Sequence, residues 1–261
     1  FLQRRGSEKN HLYADLAISE PGYICQDVVA LRLRRQYSSN VLMVGDSPAD
    51  AVSLTMLMLY QLIRQSSRES RFYLADLFPV DTPWYGRLEE IKRLYSEQVV
   101  AVDNRRLGSV VDTLEIELAQ ALEHHSIRED RTVLVLLNVQ AARIFDGKSG
   151  IGGSLSTKKL EKIVREGAEV GIHVVLHSLH YQGLEKVFTG RNLLNEFENQ
   201  IVLRGGASEK LLPGDSQAIK QEGLAYLIAP QARYGIDPCR LYDPEEVVAY
   251  FQGMEEMRDE D

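Results

Sequence analysis

Cysteine is nearly absent. The two residues, Cys25 and Cys239, stand far apart with no partners at a metal-ligand spacing. A disulfide scaffold is thereby excluded, and reduced thiols in a cytosolic protein are expected. Long apolar runs are also missing: the longest, Leu54 to Ile63, is broken by Thr55 and Gln61. It falls well short of the roughly 18 residues that a membrane helix needs. No charged-then-apolar signal pattern opens the chain. It starts at Phe1 and not at Met, so a fragment of a longer protein is expected. Positive charge is in the minority, 30 Lys+Arg against 38 Asp+Glu, a net charge of -8 at pH 7. That balance argues against a surface coated for gripping nucleic acid. It is uneven, however. Residues 252–261 carry five acids and one base, half of the net charge, on what reads as an acidic, disordered tail.

What remains is ordinary for a globular protein: 261 residues, 44% apolar and 26% charged. Apolar runs of strand length alternate with helical patterns. Strands are expected at 28–34, 41–44, 72–75, 98–102, 132–137, 172–176, 200–203 and 224–228. Helices are expected at 51–64, 84–95, 107–123, 157–170 and 244–251, the last opened by the cap-and-proline signature Asp243-Pro244-Glu245-Glu246. The helix over 51–64 is apolar on almost every side and should be buried. The glycine-rich stretch 146–156 reads as a mobile loop. Strands that are nearly continuous apolar runs indicate an α/β fold with a mostly parallel central sheet covered by helices on both faces. Ligands of such sheets sit at the carboxyl ends of the strands. Those ends are Gly45–Asp50, Asp76–Pro79, Asn138–Ala141 and Leu176–His180. One domain is expected over 31–251, preceded by a lead-in over 1–30.

The strand–loop–helix around Val41 to Ile63 has the layout of a phosphate-binding loop, GxxxxGK[ST], in which backbone N–H groups wrap the phosphates, a Lys meets the outer ones and a hydroxyl holds magnesium. The matching window is Gly45-Asp46-Ser47-Pro48-Ala49-Asp50-Ala51-Val52. Only its first glycine agrees. The missing Lys forgoes a bond worth about 1.5–3 kcal/mol. Asp46 and Asp50 would each repel a unit charge by about 3 kcal/mol at ~6 Å and an effective dielectric of ~20, and Pro48 removes a donor. Together these offset most of a micromolar affinity, about 8 kcal/mol. The strand 132–137 would end, in an ATPase, on carboxylates for magnesium and water. It ends on Asn138-Val139.

His173, His177 and His180 fall close together, but alternation separates His180 from the other two and no acid or Cys lies beside them, so no metal site is expected. His124-His125 suits a helix carboxyl terminus. No catalytic nucleophile has a recognisable setting. Arg32, Arg34 and Arg35 read first as a solvated strand edge and second as a contact to nucleic acid or an acidic partner.

Several stretches together resemble the ATPase modules of the FtsK/SpoIIIE family, a RecA-like P-loop fold found in DNA translocases and in the multi-module motors of type VII secretion. Leu33 to Gly45 resembles the entry strand and phosphate-loop strand. Arg165 to His173 resembles the helix–turn–strand segment. Phe197 to Arg204, followed by Gly223-Leu224-Ala225-Tyr226, resembles the C-terminal strands. The departures fall on the chemistry: one glycine of the Walker A pattern, Asn138-Val139 at the Walker B carboxylates, and Leu179 where active members carry a sensor-like Gln. The resemblance implies an inactive module with a structural, regulatory or partner-docking role, without ATP or magnesium of its own. Sister modules on the same chain would hydrolyse ATP. It further implies neighbouring ATPase modules as partners, contact with an export substrate or DNA, an oligomer, and a place in the cytoplasm, at the inner face of the membrane through the rest of the chain. The alternative is an ATP-binding DNA translocase subunit in which Lys158 or Lys159 replaces the missing Lys.

Overall fold

A computed structural model describes residues 12–21, 28–124, 129–145, 151–188, 193–206, 211, 223–232 and 235–259. Strands β1 (Tyr13–Ala17) and β2 (Ala30–Arg34) form an antiparallel hairpin. Then follow β3 (Val41–Val44), α1 (Pro48–Gln65), β4 (Arg71–Asp76), α2 (Glu89–Leu94), β5 (Val99–Ala101) and α3 (Leu107–His124). The second half holds β6 (Thr132–Leu137), α4 (Ile151–Glu166), β7 (Ile172–Ser178), α5 (Tyr181–Val187), β8 (Asn199–Val202), β9 (Leu224–Ile228), β10 (Ile236–Arg240) and α6 (Pro244–Asp259).

Among the described residues the main sheet has eight strands in the order β10-β9-β8-β3-β7-β6-β4-β5. From β8 to β5 all neighbours are parallel, while β9 and β10 join antiparallel at one edge. The α/β expectation is met, and the side-chain period explains it. Val41 and Met43 enter one core with α1, α2 and α6; Leu42 and Val44 enter the other with α3, α4 and α5. Val133, Val135 and Leu137 of β6 divide from Leu134 and Leu136 in the same way. A strand with two apolar faces needs helices on both.

Helix α1 is buried nearly all round, from Asp50 through Tyr60 and at Leu62 and Ile63, as its composition predicts. At about 1.5–3 kcal/mol per buried large apolar side chain it is the main anchor of its face. It also closes a sheet edge. The Gln61 amide donates to and accepts from Ala17 (2.9 and 2.8 Å), and Gln65 does the same for Asp15 (2.9 and 3.2 Å). Two side-chain amides thus imitate a neighbouring strand along β1, so an open edge is covered.

The structure corrects several sequence expectations. β1 falls within the supposed lead-in, and Leu16 and Ile18 are fully buried in the α1 core. β10 and α5 were not anticipated. α2 is shorter than 84–95, with turns before it. α4 starts at Ile151 and not at Thr157, so 151–156 of the expected loop are helical, and 146–150 lie outside the described residues. α6 runs to Asp259, into the supposed tail. Cys239 is buried, which pushes its thiol up to about 12; Cys25 lies outside the described residues.

Candidate functional site

The carboxyl end of β3 is the place where a phosphate loop would form, and here it is short. Three residues, Gly45-Asp46-Ser47, link β3 to α1. Helix α1 begins at Pro48 and not near Ala51, because Ser47 and Pro48 are a cap residue and a first-turn proline. The Ser47 backbone is extended and its hydroxyl accepts from Asp50 N–H at 3.4 Å. Residues Ala49 to Val52, which would carry the second half of the motif, are turned into regular helix.

Four backbone donors of the window, those of Gly45, Asp46, Asp50 and Ala51, are bonded within the protein itself. Gly45 N–H donates to Ser178 carbonyl (3.0 Å), Asp46 N–H to Arg204 carbonyl (2.9 Å) and Ala51 N–H to Ser47 carbonyl (3.1 Å). The turn after β8 lies across the end of β3. A Cβ at Gly45 would come within 2.5 Å of Leu203 Cβ and 2.6 Å of Arg204 carbonyl oxygen; one at Gly206 would overlap the Val44 carbonyl. Gly205 has φ +73, and the Asp46 carboxylate sits where its side chain would be. Glycine is required at both 205 and 206, by backbone conformation and by close approach respectively. Beside the start of α1 opens a cleft of about 540 Å³. Glu20, Asp50, Asp243 and Glu245 line it against Arg204 and Arg240, which is an unfavourable field for a polyphosphate.

The Walker B position is joined to this same end of β3. Asn138 is a left-handed residue, φ 57 and ψ 53, a conformation Asn tolerates. Its side-chain amide donates to Leu77 carbonyl at 3.1 Å. Its backbone N–H donates to His177 Nδ1 at 3.3 Å, and His177 Nε2 lies 2.9 Å from Gly45 carbonyl oxygen. Nδ1 therefore accepts, and Nε2 carries the proton given to Gly45. A neutral histidine bridges β6 and β3 across the strand between them, β7. Burial holds it neutral, lowering its pKa to about 4. Phe78 packs on its ring at 5.5 Å between centroids. Val139 is fully buried in the opposite core and Leu179 packs half-buried on the α1 core. Gln140 stands nearer to the strand end: its Oε1 accepts from Ser178 hydroxyl (2.8 Å) and Leu179 N–H (3.3 Å).

His173 is spent elsewhere. Its Nδ1 lies 2.8 Å from Ser39 carbonyl oxygen, and burial lowers its pKa to about 4. His180, exposed, precedes α5.

The three arginines are drawn into separate contacts. Arg32 pairs with Asp15 (2.9 Å) and lies over the Tyr13 ring at 4.4 Å. Arg34 reaches Glu198 at 3.2 Å. Arg35 donates to Asp130 and Val170 carbonyls at 2.9 and 3.3 Å. Arg32 ties the two strands of the hairpin together, and Arg34 and Arg35 fasten it to the domain. Lys159 pairs with Asp112 of α3 at 2.7 Å, on the face of the sheet opposite α1, where it cannot stand in for the loop lysine. Lys158, next to it, is exposed.

Sequence reasoning missed the Gly205-Gly206 clamp and the His177 bridge; the glycine pair shortly after the end of β8 was the available signal for close backbone approach.

These features define the class of fold. It is the RecA-like P-loop ATPase fold, with β7 between the strand of the loop and the strand ending at Asn138. No protein-family model matches the sequence, and no curated protein matches it. Solved structures do. ATPases 2 and 3 of EccC from Thermomonospora curvata, in complex with a signal sequence peptide, superpose with a TM-score of 0.66 at 14% identity, over 95% of this chain and 48% of that one. ATPases 2 and 3 of EssC from Geobacillus thermodenitrificans give 0.63 at 10% identity, over 98% and 50%. The pCW3 conjugation coupling protein TcpA, in its monomer form with ATPgS, gives 0.60 at 13% identity, over 91% and 70%. The chain spans about half the length of the EccC and EssC structures. Among its described residues no helix is long and apolar enough to cross a membrane.

Proposed function

We propose that this chain is an ATPase-like module without turnover of its own, serving a larger FtsK/SpoIIIE-type translocase as a structural, regulatory or partner-docking unit. One observation carries the proposal: the end of β3 is filled by its own protein. The turn at Gly205-Gly206 lies over it, Ser47 and Pro48 start α1 at once, and Asn138, with no carboxylate, donates its N–H to His177, which in turn donates to the Gly45 carbonyl. These residues do not fit a magnesium–triphosphate group. The N–H groups of Gly45, Asp46, Asp50 and Ala51 are used, the nearest charges include Asp46 and Asp50, and no Lys or hydroxyl stands at the positions that would hold it.

On this reading the module takes no ATP or magnesium, which belong to sister modules. Its partners are those neighbouring modules, within an oligomer, and an export substrate or DNA. Two of the similar structures are paired ATPase modules, and one of them holds a signal sequence peptide. That supports a docking role toward a protein segment. A cytoplasmic place, at the inner membrane face through the rest of the protein, agrees with the similarity to the cytoplasmic domain of the Thermomonospora curvata type VII secretion ATPase EccC.

The test is phosphate release from ATP and magnesium by the purified chain, with and without duplex DNA. Background rates are expected in both. Turnover of about 1 s⁻¹, at the low end of ordinary enzymes, would overturn the proposal.

A further inference from the structure

The carboxyl ends of β4 and β5 open on a different cleft, of about 730 Å³. Its floor is apolar, with Leu77, Phe78, Leu88 and Val102. Two apolar side chains on its walls are left in solvent, Val80 at 78% exposure and Tyr85 at 41%. Arg105, Arg106 and Arg143 line the same cleft, and all three are exposed. Its walls are fixed by Asn104, which donates to Ala141 carbonyl and accepts from Arg143 N–H, both at 3.0 Å.

The acids of the cleft already have work. Glu89 pairs with Lys92 at 2.8 Å. Asp103 accepts the N–H groups of Arg105 and Arg106 at 2.9 and 2.8 Å. Asp76 accepts from Gly86 and Phe78 N–H at 2.9 and 3.2 Å. Lys92, Arg105, Arg106 and Arg143 line the cleft against Asp76, Glu89 and Asp103, an excess of one positive charge, and a guanidinium suits a carboxylate through paired, parallel bonds.

Two features favour a peptide over a phosphate ligand. Ahead of α3 the Arg105 and Arg106 N–H groups are taken by the Asp103 carboxylate and that of Leu107 by the Asp103 carbonyl, so these three are not open to a phosphate. The exposed Val80 and Tyr85, above an aliphatic floor, call for an apolar side chain that a phosphate backbone lacks.

We propose that this cleft docks an acidic amphipathic peptide segment of a partner protein, its carboxylates on Arg105 and Arg106 and its apolar side chain over Leu88 and Val102. The proposal deepens the partner-docking role argued above and rests on it. The floor also touches the altered centre, since Leu77 carbonyl accepts from Asn138 and Phe78 packs on His177.

The probe is a fluorescein-labelled peptide of about 12 residues built from Glu, Asp, Leu and Phe, titrated into the whole chain and read by anisotropy. Its controls are a twin with Lys for every acid and a labelled single-stranded DNA of equal length. Saturable binding of the acidic peptide alone is expected. It should weaken at least about tenfold in Arg105→Glu/Arg106→Glu and in Val80→Asp, with methyl NMR shifts confined to Leu77, Val80, Leu88 and Val102. No saturation by about 1 mM peptide, equal binding of DNA, or undiminished affinity in both variants would overturn the cleft assignment. Phosphate release from ATP is measured on the same sample. Turnover there sinks the inactive-module reading, while failed peptide binding without turnover sinks only the cleft.

Discussion

Acidifying the protein should loosen the centre through His177. The bond from Asn138 N–H to Nδ1 and the bond from Nε2 to Gly45 carbonyl use both ring nitrogens of the neutral form. A proton added at Nδ1 would set two N–H groups against each other inside the protein. His173 faces a parallel difficulty: Nδ1 serves Ser39 carbonyl, and Nε2 is buried with no hydrogen-bond partner, near Arg131 and Arg35. Both have pKa lowered to about 4 from an ordinary 6.5, by burial first. The unfolded chain therefore binds these protons at a higher pH than the folded one. Stability is full above about pH 6.5 and falls as pH drops toward about 4. At about pH 5 each histidine should have cost roughly 2 kcal/mol, and the pair roughly 4. Urea unfolding at about pH 7.5 and about pH 5 measures the difference. In His177→Gln, which keeps a donor for Gly45, the pH-dependent loss should shrink by about half. An unchanged loss in that variant, or equal stability of the natural chain at both pH values, would refute the reasoning.

Two substitutions probe the same centre at fixed pH. Gly206→Ala drives a Cβ into the Val44 carbonyl, and since the obstruction is backbone, it should destabilise by about 3 kcal/mol in urea unfolding; a loss below about 1 kcal/mol would mean the turn does not press on β3. Asn138→Asp keeps the left-handed backbone but removes the donor to Leu77 carbonyl and buries a charge. It should cost about 3 kcal/mol near pH 7 and bring no ATP turnover, as phosphate release will report.

Where the chain states its structure locally, the sequence is legible. The all-round apolarity of α1 announces burial, and the period of β3 and β6 announces helices on two faces. β1 is harder to see, because the edge that faces away from β2 is met by the Gln61 and Gln65 amides, distant along the chain, and such pairing leaves no local pattern beyond the alternation of Ala14, Leu16 and Ile18. The early start of α1 was written in Ser47-Pro48, but a reading of the window as a phosphate loop hides a plain helix cap. At the site, the missing Lys and carboxylates were visible at Ala51, Asn138 and Val139. What replaced them was not. The clamp joins Val44 to Gly206 and the bridge joins Gly45 to His177 and Asn138, contacts between strands that only the sheet order brings together. The arginines show the opposite limit: Arg32, Arg34 and Arg35 are adjacent in sequence yet answer to Asp15, Glu198 and the Asp130 carbonyl.

Calorimetric titration of the whole chain with ATP and magnesium tests the central claim most directly. With the end of β3 occupied by Gly205-Gly206 and the Gly45 and Asp46 N–H groups bonded within the protein, no saturable heat is expected up to about 1 mM nucleotide. A one-site isotherm with a dissociation constant near 1 μM, about 8 kcal/mol of binding, would contradict the account.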